Sequence, residues 1–120
     1  MNGLNILQQI DQLPYCKNIC FEINPIFNLI SGASKRNDFR LSMAPILLGL
    51  GYPVTINSDL CGVIGYQDSL LDLMISALSF NWSLKHIKLT ILYSINYAVT
   101  TEGLKKKMLE IFNQKWQQWI

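Results

Sequence analysis

Charge is scarce in this chain. Acidic and basic residues make up 15% of its 120 residues, against about 25% in ordinary globular chains. Half of the residues are hydrophobic, so the charges are too few to cover the large surface of a small domain. That imbalance points to a piece or a subunit whose apolar faces expect a partner. The net charge is +2, and the longest basic run is Lys105-Lys106-Lys107. The electrostatic footprint of a nucleic-acid binder is therefore missing, and the lysine run, in a helix-like segment, reads as a solvated face. No apolar stretch approaches the roughly 18 residues of a membrane span. The opening from Met1 to Gln9 has neither a basic n-region nor a long apolar core, so no signal peptide is expected there, and the compartment is left open.

Histidine is scarcer still, with His86 the single one in the chain. It lies in Lys85-His86-Ile87-Lys88 and reads as a surface or helix-packing residue. A catalytic zinc needs three protein ligands or more, and there is no His-x-His, no His-x-Glu and no substitute cluster of Cys or Glu. The three cysteines, Cys16, Cys20 and Cys61, cannot all pair. Cys16 and Cys20 flank a helix-to-strand transition, which favours buried free thiols over a metal knuckle.

What is present centres on Gly51 to Gly65. Gly51-Tyr52-Pro53 is a turn signal, and Val54, Thr55 and Ile56 are β-branched, which predicts a short buried strand. It stops at Asn57, Ser58 and Asp59, before a small-residue loop containing Gly62 and Gly65. A carboxylate at the end of a β/α-type strand is well placed for function, because loops at those ends build active sites. The plainer alternative is that Asp59 caps the next turn.

Around that stretch, Leu4, Ile6, Leu7, Ile10 and Leu13 recur at helical spacing, which predicts a helix over 4–13 ended by Pro14. Ile19, Cys20, Phe21 and Ile23 predict a strand near 19–23, closed by Pro25. Ile26 to Ile30 suggests a turn of helix, and Ser31 to Asn37 a polar loop. Asp38 and Arg40 are spaced to form an ion pair, and Met43 to Leu50 reads as a short apolar helix. Asp68 or Ser69 caps a helix over 68–80 that has few polar positions and should be buried on most sides. Ser83 caps the next, over 84–98. Thr101-Glu102 opens a helix over 101–118, whose stripe of Leu104, Met108, Leu109, Ile111, Phe112, Trp116 and Trp119 reads as core.

Several of these segments resemble one family. Gly51-Tyr52-Pro53-Val54-x-Ile56-x-Ser58-Asp59 is similar to the last barrel strand of the adenosine deaminase superfamily, most closely its extracellular branch, the adenosine deaminase-related growth factors. Glu22, Pro25 and Asn28 match the family's seventh-strand motif, with Asn24 standing for its Cys and Phe27 for its Ser. Asp38, Arg40, Ala44, Leu47 and Leu48 fit the next motif, where Ser42-Met43 replaces a His-Pro pair. Gly65 and Asp72 keep a family spacing, and so do Leu84, Lys88, Ser94, Ile95, Tyr97, Lys115, Trp116 and Ile120. Five motifs in order cover about residues 19 to 120.

The resemblance implies an α/β fold: a partial TIM-type (β/α) barrel of the metal-dependent hydrolase superfamily, made of the last two β/α units plus closing helices. Strands near 19–23 and 53–57 should then be adjacent and parallel, and residues 1–120 form a single incomplete adenosine deaminase domain. The implied activity is zinc-dependent hydrolysis of adenosine to inosine and ammonia. Asp59 takes the place of the family's zinc-binding Asp, while the purine-binding Asp is replaced by Leu60 and the following Pro by Cys61. The other zinc ligands and the acid Glu are missing, so the chain alone is expected to hold no zinc, supply no catalytic residue and show no turnover. The alternative from another class is a non-catalytic interaction module, a degenerate deaminase piece that associates with itself or with an intact homologue. Its contact surfaces would be the barrel faces of 19–23, 54–56 and 68–80, which nothing in the chain is expected to cover. No nucleic-acid or membrane partner is implied.

Overall fold

The computed structural model describes residues 18–33, 38–66 and 68–120, together with Gln9 and Gln12. The helix expected over 4–13 lies outside the described residues except at those two glutamines. Two three-residue strands, β1 (Phe21–Ile23) and β2 (Val54–Ile56), pair in parallel with Phe21 opposite Val54 and Ile23 opposite Ile56. The ladder is closed at its ends by Phe21 N–H to Pro53 O at 2.9 Å and Asn57 N–H to Ile23 O at 3.0 Å. The adjacency and direction agree with the sequence expectation, although both strands are shorter than expected. A pair this short is marginal by itself, so the helices around it carry the stability. The chain is thus a mixed α/β structure in which helices dominate.

The helices in chain order are α1 (Pro25–Ile30), α2 (Ala44–Gly49), α3 (Cys61–Ile64), α4 (Leu70–Ser79), α5 (Leu84–Asn96) and α6 (Glu102–Trp119), with a 3₁₀ turn at Phe39–Leu41. The helical turn α3 occupies part of what the sequence suggested was a plain loop. Among the described residues no helix is long and apolar enough to cross a membrane.

The junction between α2 and β2 explains why the core forms where it does. Gly51 has φ +82°, a left-handed conformation that suits glycine after a helix. Tyr52 N–H reaches Leu47 O at 3.0 Å and Gly51 N–H reaches Leu48 O at 3.1 Å, which is the paired bonding of a Schellman cap. That cap folds Tyr52 back onto Leu47, and both join Ala44, Val54 and Ile56 in the buried cluster. Phe21 meets Tyr52 edge to face, ring centroids 5.6 Å apart. Asn81, at φ +52°, ends α4 in a similar way, with Trp82 N–H bonded to Ala77 O at 3.0 Å.

Three expectations are corrected by the packing. First, β2 is buried along its whole length, because α2, α4 and α5 all pack on it. The chain's own helices therefore cover 54–56. Second, α4 is not buried on most sides. Its buried residues are Asp72 and Ser76, while Leu70, Leu71, Met74 and Leu78 are exposed. Third, no residue of α6 is buried. Leu109, Phe112 and Trp116 are half-buried, and Lys88 of α5 lies 5.2 Å from the Trp116 ring. Leu104, Met108, Ile111 and Trp119 face outward, since one side of a lone terminal helix is all that α5 can cover.

The caps are closer to expectation. Thr101 accepts from Leu104 N–H at 3.3 Å through its hydroxyl. At the start of α4 it is Asp68, rather than Ser69, whose side chain accepts, from Leu70 N–H at 2.9 Å.

The rotation of α4 has a clear cause. The Asp72 carboxylate is completely buried; its Oδ1 accepts from Ile26 N–H at 3.0 Å and its Oδ2 from Tyr66 O–H at 2.9 Å. A charge can be buried only when it is bonded in this way. Asp72→Ala should lower stability by about 2–4 kcal/mol, because two donors lose their acceptor. Tyr66→Phe should cost about 1–2 kcal/mol. Urea titration followed by circular dichroism measures both, and an Asp72→Ala chain as stable as wild type would show that the clamp is not needed.

Candidate functional site

The carboxyl ends of β1 and β2 lie side by side, as their parallel pairing requires. From β1 the chain passes through Asn24 and Pro25 directly into α1. From β2 it passes through Asn57, Ser58 and Asp59 to α3. Asn57 Nδ2 bonds to Thr55 Oγ1 at 3.0 Å, and Tyr66 Oη lies 3.5 Å from Ser58 O, so the Asp72 clamp also reaches the segment after β2. Asn24 Oδ1 is buried there with no hydrogen-bond partner among the described residues.

Asp59 stands on the outside of this arrangement. It is exposed, at φ +53°, a left-handed conformation that Asp tolerates better than most residues. Leu60 beside it is 47% exposed. Among the described residues no three of His, Cys, Asp and Glu come together as a metal would need. The sole histidine is engaged at the start of α5. His86 Nδ1 accepts from Ser83 N–H at 3.2 Å and lies 2.9 Å from Ser83 Oγ, which is the reciprocal half of a capping box. Its ring stacks on Trp82 at 6.1 Å, in a cleft shared with Pro45, Leu48 and Gly49 of α2. A lone exposed carboxylate does not make the three-ligand set that catalytic zinc requires, so the donors near Asp59 among the described residues do not fit that metal.

A polar cavity of about 250 Å³ opens instead on the other face of the strands, lined by Cys20, Glu22, Thr55 and Asn57 with Ser94, Tyr97 and Ala98. Alternation along each strand produces it, because Cys20 and Glu22 share one face of β1 and Thr55 and Asn57 the matching face of β2. Phe21, Ile23, Val54 and Ile56 point to the apolar side. Burial pushes the Cys20 thiol above its ordinary range, partly offset by a hydrogen bond with Thr55 and reinforced by the Glu22 carboxylate. The thiol therefore stays protonated near neutral pH and is a poor nucleophile. Such a cavity can hold a small polar molecule, and Glu22 supplies the one carboxylate in its lining. The sequence reading did not single out this group, although its period-two spacing was available in both strands.

A second, more apolar cavity of about 200 Å³ is lined by Ile23, Pro25, Asn28, Leu29, Asp38 and Phe39 among others. At its edge the expected ion pair is formed. Arg40 Nη2 lies 2.7 Å from Asp38 Oδ2, Arg40 Nε 2.9 Å from Oδ1, and Arg40 N–H also bonds to Oδ1 at 3.0 Å. The side-chain and backbone hydrogen bonds from Arg40 hold the Asp38 carboxyl below its ordinary range.

Compared with known proteins, the chain is similar to adenosine deaminase 2 of Sus scrofa, at 26% identity over 107 residues. The likeness takes in 87% of this chain and 21% of that relative, so the chain spans about a fifth of the relative's length. The relation to adenosine deaminases is a distant one. No family model and no solved structure matches the chain.

Two measurements follow from these sites. The purified chain and its Asp59→Ala variant should retain zinc equally poorly after dialysis against micromolar metal, measured by metal analysis, since one carboxylate cannot displace the ion's water shell. Stoichiometric zinc that depends on Asp59 would reveal further ligands. For Asp38, the folded value lies below the unfolded one. The pair's contribution is therefore present above the unfolded pKa and fades as pH falls through the folded one. Carboxyl-carbon NMR should give an Asp38 midpoint below that of a peptide aspartate, and Arg40→Gln should raise it.

Proposed function

We propose that this chain is a piece of an adenosine deaminase-type (β/α) barrel, equivalent to its seventh and eighth β/α units with the closing helices. The observation that carries this reading is the strand pair. Segments separated by a helical crossover come together in parallel, with Phe21 opposite Val54, one face apolar and packed with α2 and α4 residues, the other polar and facing Ser94 and Tyr97 at the end of α5. In a barrel the polar face would point to the lumen and the carboxyl ends would carry the active site. The distant likeness to adenosine deaminase 2 supports the same assignment, since it spans most of this chain.

The family reaction converts adenosine and water to inosine and ammonia. With the donor set around Asp59 unfit for catalytic zinc, no step of that reaction is assigned to residues of this chain. Leu60, where the family has its purine-binding Asp, removes the group that would read the base. The barrel piece is therefore inactive alone.

A second reading, a non-catalytic interaction module, is favoured by a separate observation. Leu60, Asn24 and Phe27 depart from the family at positions that serve chemistry, while large apolar side chains stay exposed on α4 and α6. Such patches mark interaction surfaces or aggregation liabilities.

Ammonia release from adenosine, with zinc added to the purified chain, should not exceed buffer. Measurable deamination lost in Asp59→Ala would overturn the inactive reading.

A further inference from the structure

The polar cavity lies between the strand pair and the end of α5. Its lining holds one charged side chain, Glu22, and no Lys, Arg or His. Glu22 is exposed, so a solute reaches it from water. Its carboxylate makes no ion pair or hydrogen bond with a described residue.

We propose that this cavity binds a small organic cation bearing N–H donors, a primary ammonium or a guanidinium, with Glu22 as its counter-charge. The proposal depends on neither the deaminase relation nor the interaction reading. Three features select that chemistry. The first is charge, since an anion would meet the Glu22 carboxylate with no basic side chain in the lining to offset it.

The second is the direction of the hydrogen bonds. The wall spends its donors on itself: Asn57 Nδ2 bonds to Thr55 Oγ1 at 3.0 Å and Ser94 Oγ donates to Thr90 O at 3.0 Å. Two backbone donors of the wall are spent as well, Tyr97 N–H on Tyr93 O at 2.9 Å and Ala98 N–H on Ile95 O at 3.3 Å. What remains for a ligand is weighted to acceptors, namely Asn57 Oδ1, the Ser94 lone pairs and both Glu22 oxygens. A ligand rich in N–H donors complements such a wall.

The third is the helix. Ser94 and Tyr97 belong to the C-terminal end of α5, the negative end of its dipole. Its last turn carries no basic residue, so no cation of that turn neutralises it. The carboxylate and the helix end therefore favour the same sign of charge. A divalent metal fits less well, because it takes six or more oxygen ligands, and among the described residues no three potential metal-binding side chains meet. At about 250 Å³ the cavity lies below the ~300–1,000 Å³ of sites for drug-sized ligands, which suits a molecule of a few heavy atoms.

Titration of the full chain with methylammonium and with methylguanidinium, followed by amide NMR shifts, tests this. N-methylurea, similar in shape to methylguanidinium but uncharged, is the control. At least one of the cations should give saturable shifts centred on 20–23, 55–57 and 94–98 with millimolar affinity, weakened by added salt, and N-methylurea should give none. Glu22→Gln should weaken binding by about tenfold or more, with an unchanged far-ultraviolet circular dichroism spectrum. Ala98→Lys, which sets an ammonium of the chain itself in the cavity wall, should abolish binding while Glu22 stays in place. If Glu22→Gln disturbs the fold, Ala98→Lys decides the matter, and full binding by it would overturn the site. No saturable shift with either cation, equal binding of N-methylurea, a folded Glu22→Gln chain that binds like wild type, or shifts centred elsewhere would each overturn it too.

Discussion

The arrangement depends on one buried carboxylate. Asp72 joins residues 46 positions apart through its bond to Ile26 N–H, and through Tyr66 it also holds the segment that follows β2. The bond to Ile26 fixes α4 against the start of α1 and so against the carboxyl end of β1. Because an unbonded buried charge is costly, α4 has little freedom to rotate about its axis. Strand pairing alone, at three residues a strand, could not impose that order.

The rest of the packing follows from satisfying that group in a chain with few charges. With Asp72 and Ser76 inside, Leu70, Leu71 and Leu78 of α4 are left outside, while Leu73 packs against the core. The apolar core gathers instead around β2, where the Schellman cap after α2 brings Tyr52 onto Leu47. Helix α5 approaches β2 with Thr90, which is buried and returns its hydroxyl to Ile87 O at 2.9 Å. A threonine that satisfies itself within its own helix can meet a buried strand without leaving a polar group unpaired. Thus β2 is covered on all sides while α4 and α6 keep apolar surface in water.

The candidate site was legible in part. Asp59 could be placed at a strand end from Val54-Thr55-Ile56 and the Asn57-Ser58-Asp59 stop, and it is there. His86 lies, as read, at the surface of the helix over 84–96; its partners were not legible, because its bond to Ser83 and its stacking on Trp82 belong to a helix start that brings three residues together in space. The polar cavity escaped notice for another reason. Cys20, Glu22, Thr55 and Asn57 are ordinary residues on two separate segments, and they form a group only once Glu22 stands opposite Thr55 in the ladder.

Local chemistry was enough to place the elements. Ser83 and Thr101 start their helices, Gly51 ends one, and β-branched residues make the central strand, because caps, turns and propensities act over a single turn of chain. Which side of each element is buried was decided elsewhere. A hydrophobic stripe on α4 or α6 names a face that avoids water when something is available to cover it. Here the covering surface went to β2, and the long-range bond of Asp72 turned α4 the other way. Burial is a property of the whole packing, and no periodicity within ten residues can specify a hydrogen bond 46 residues away.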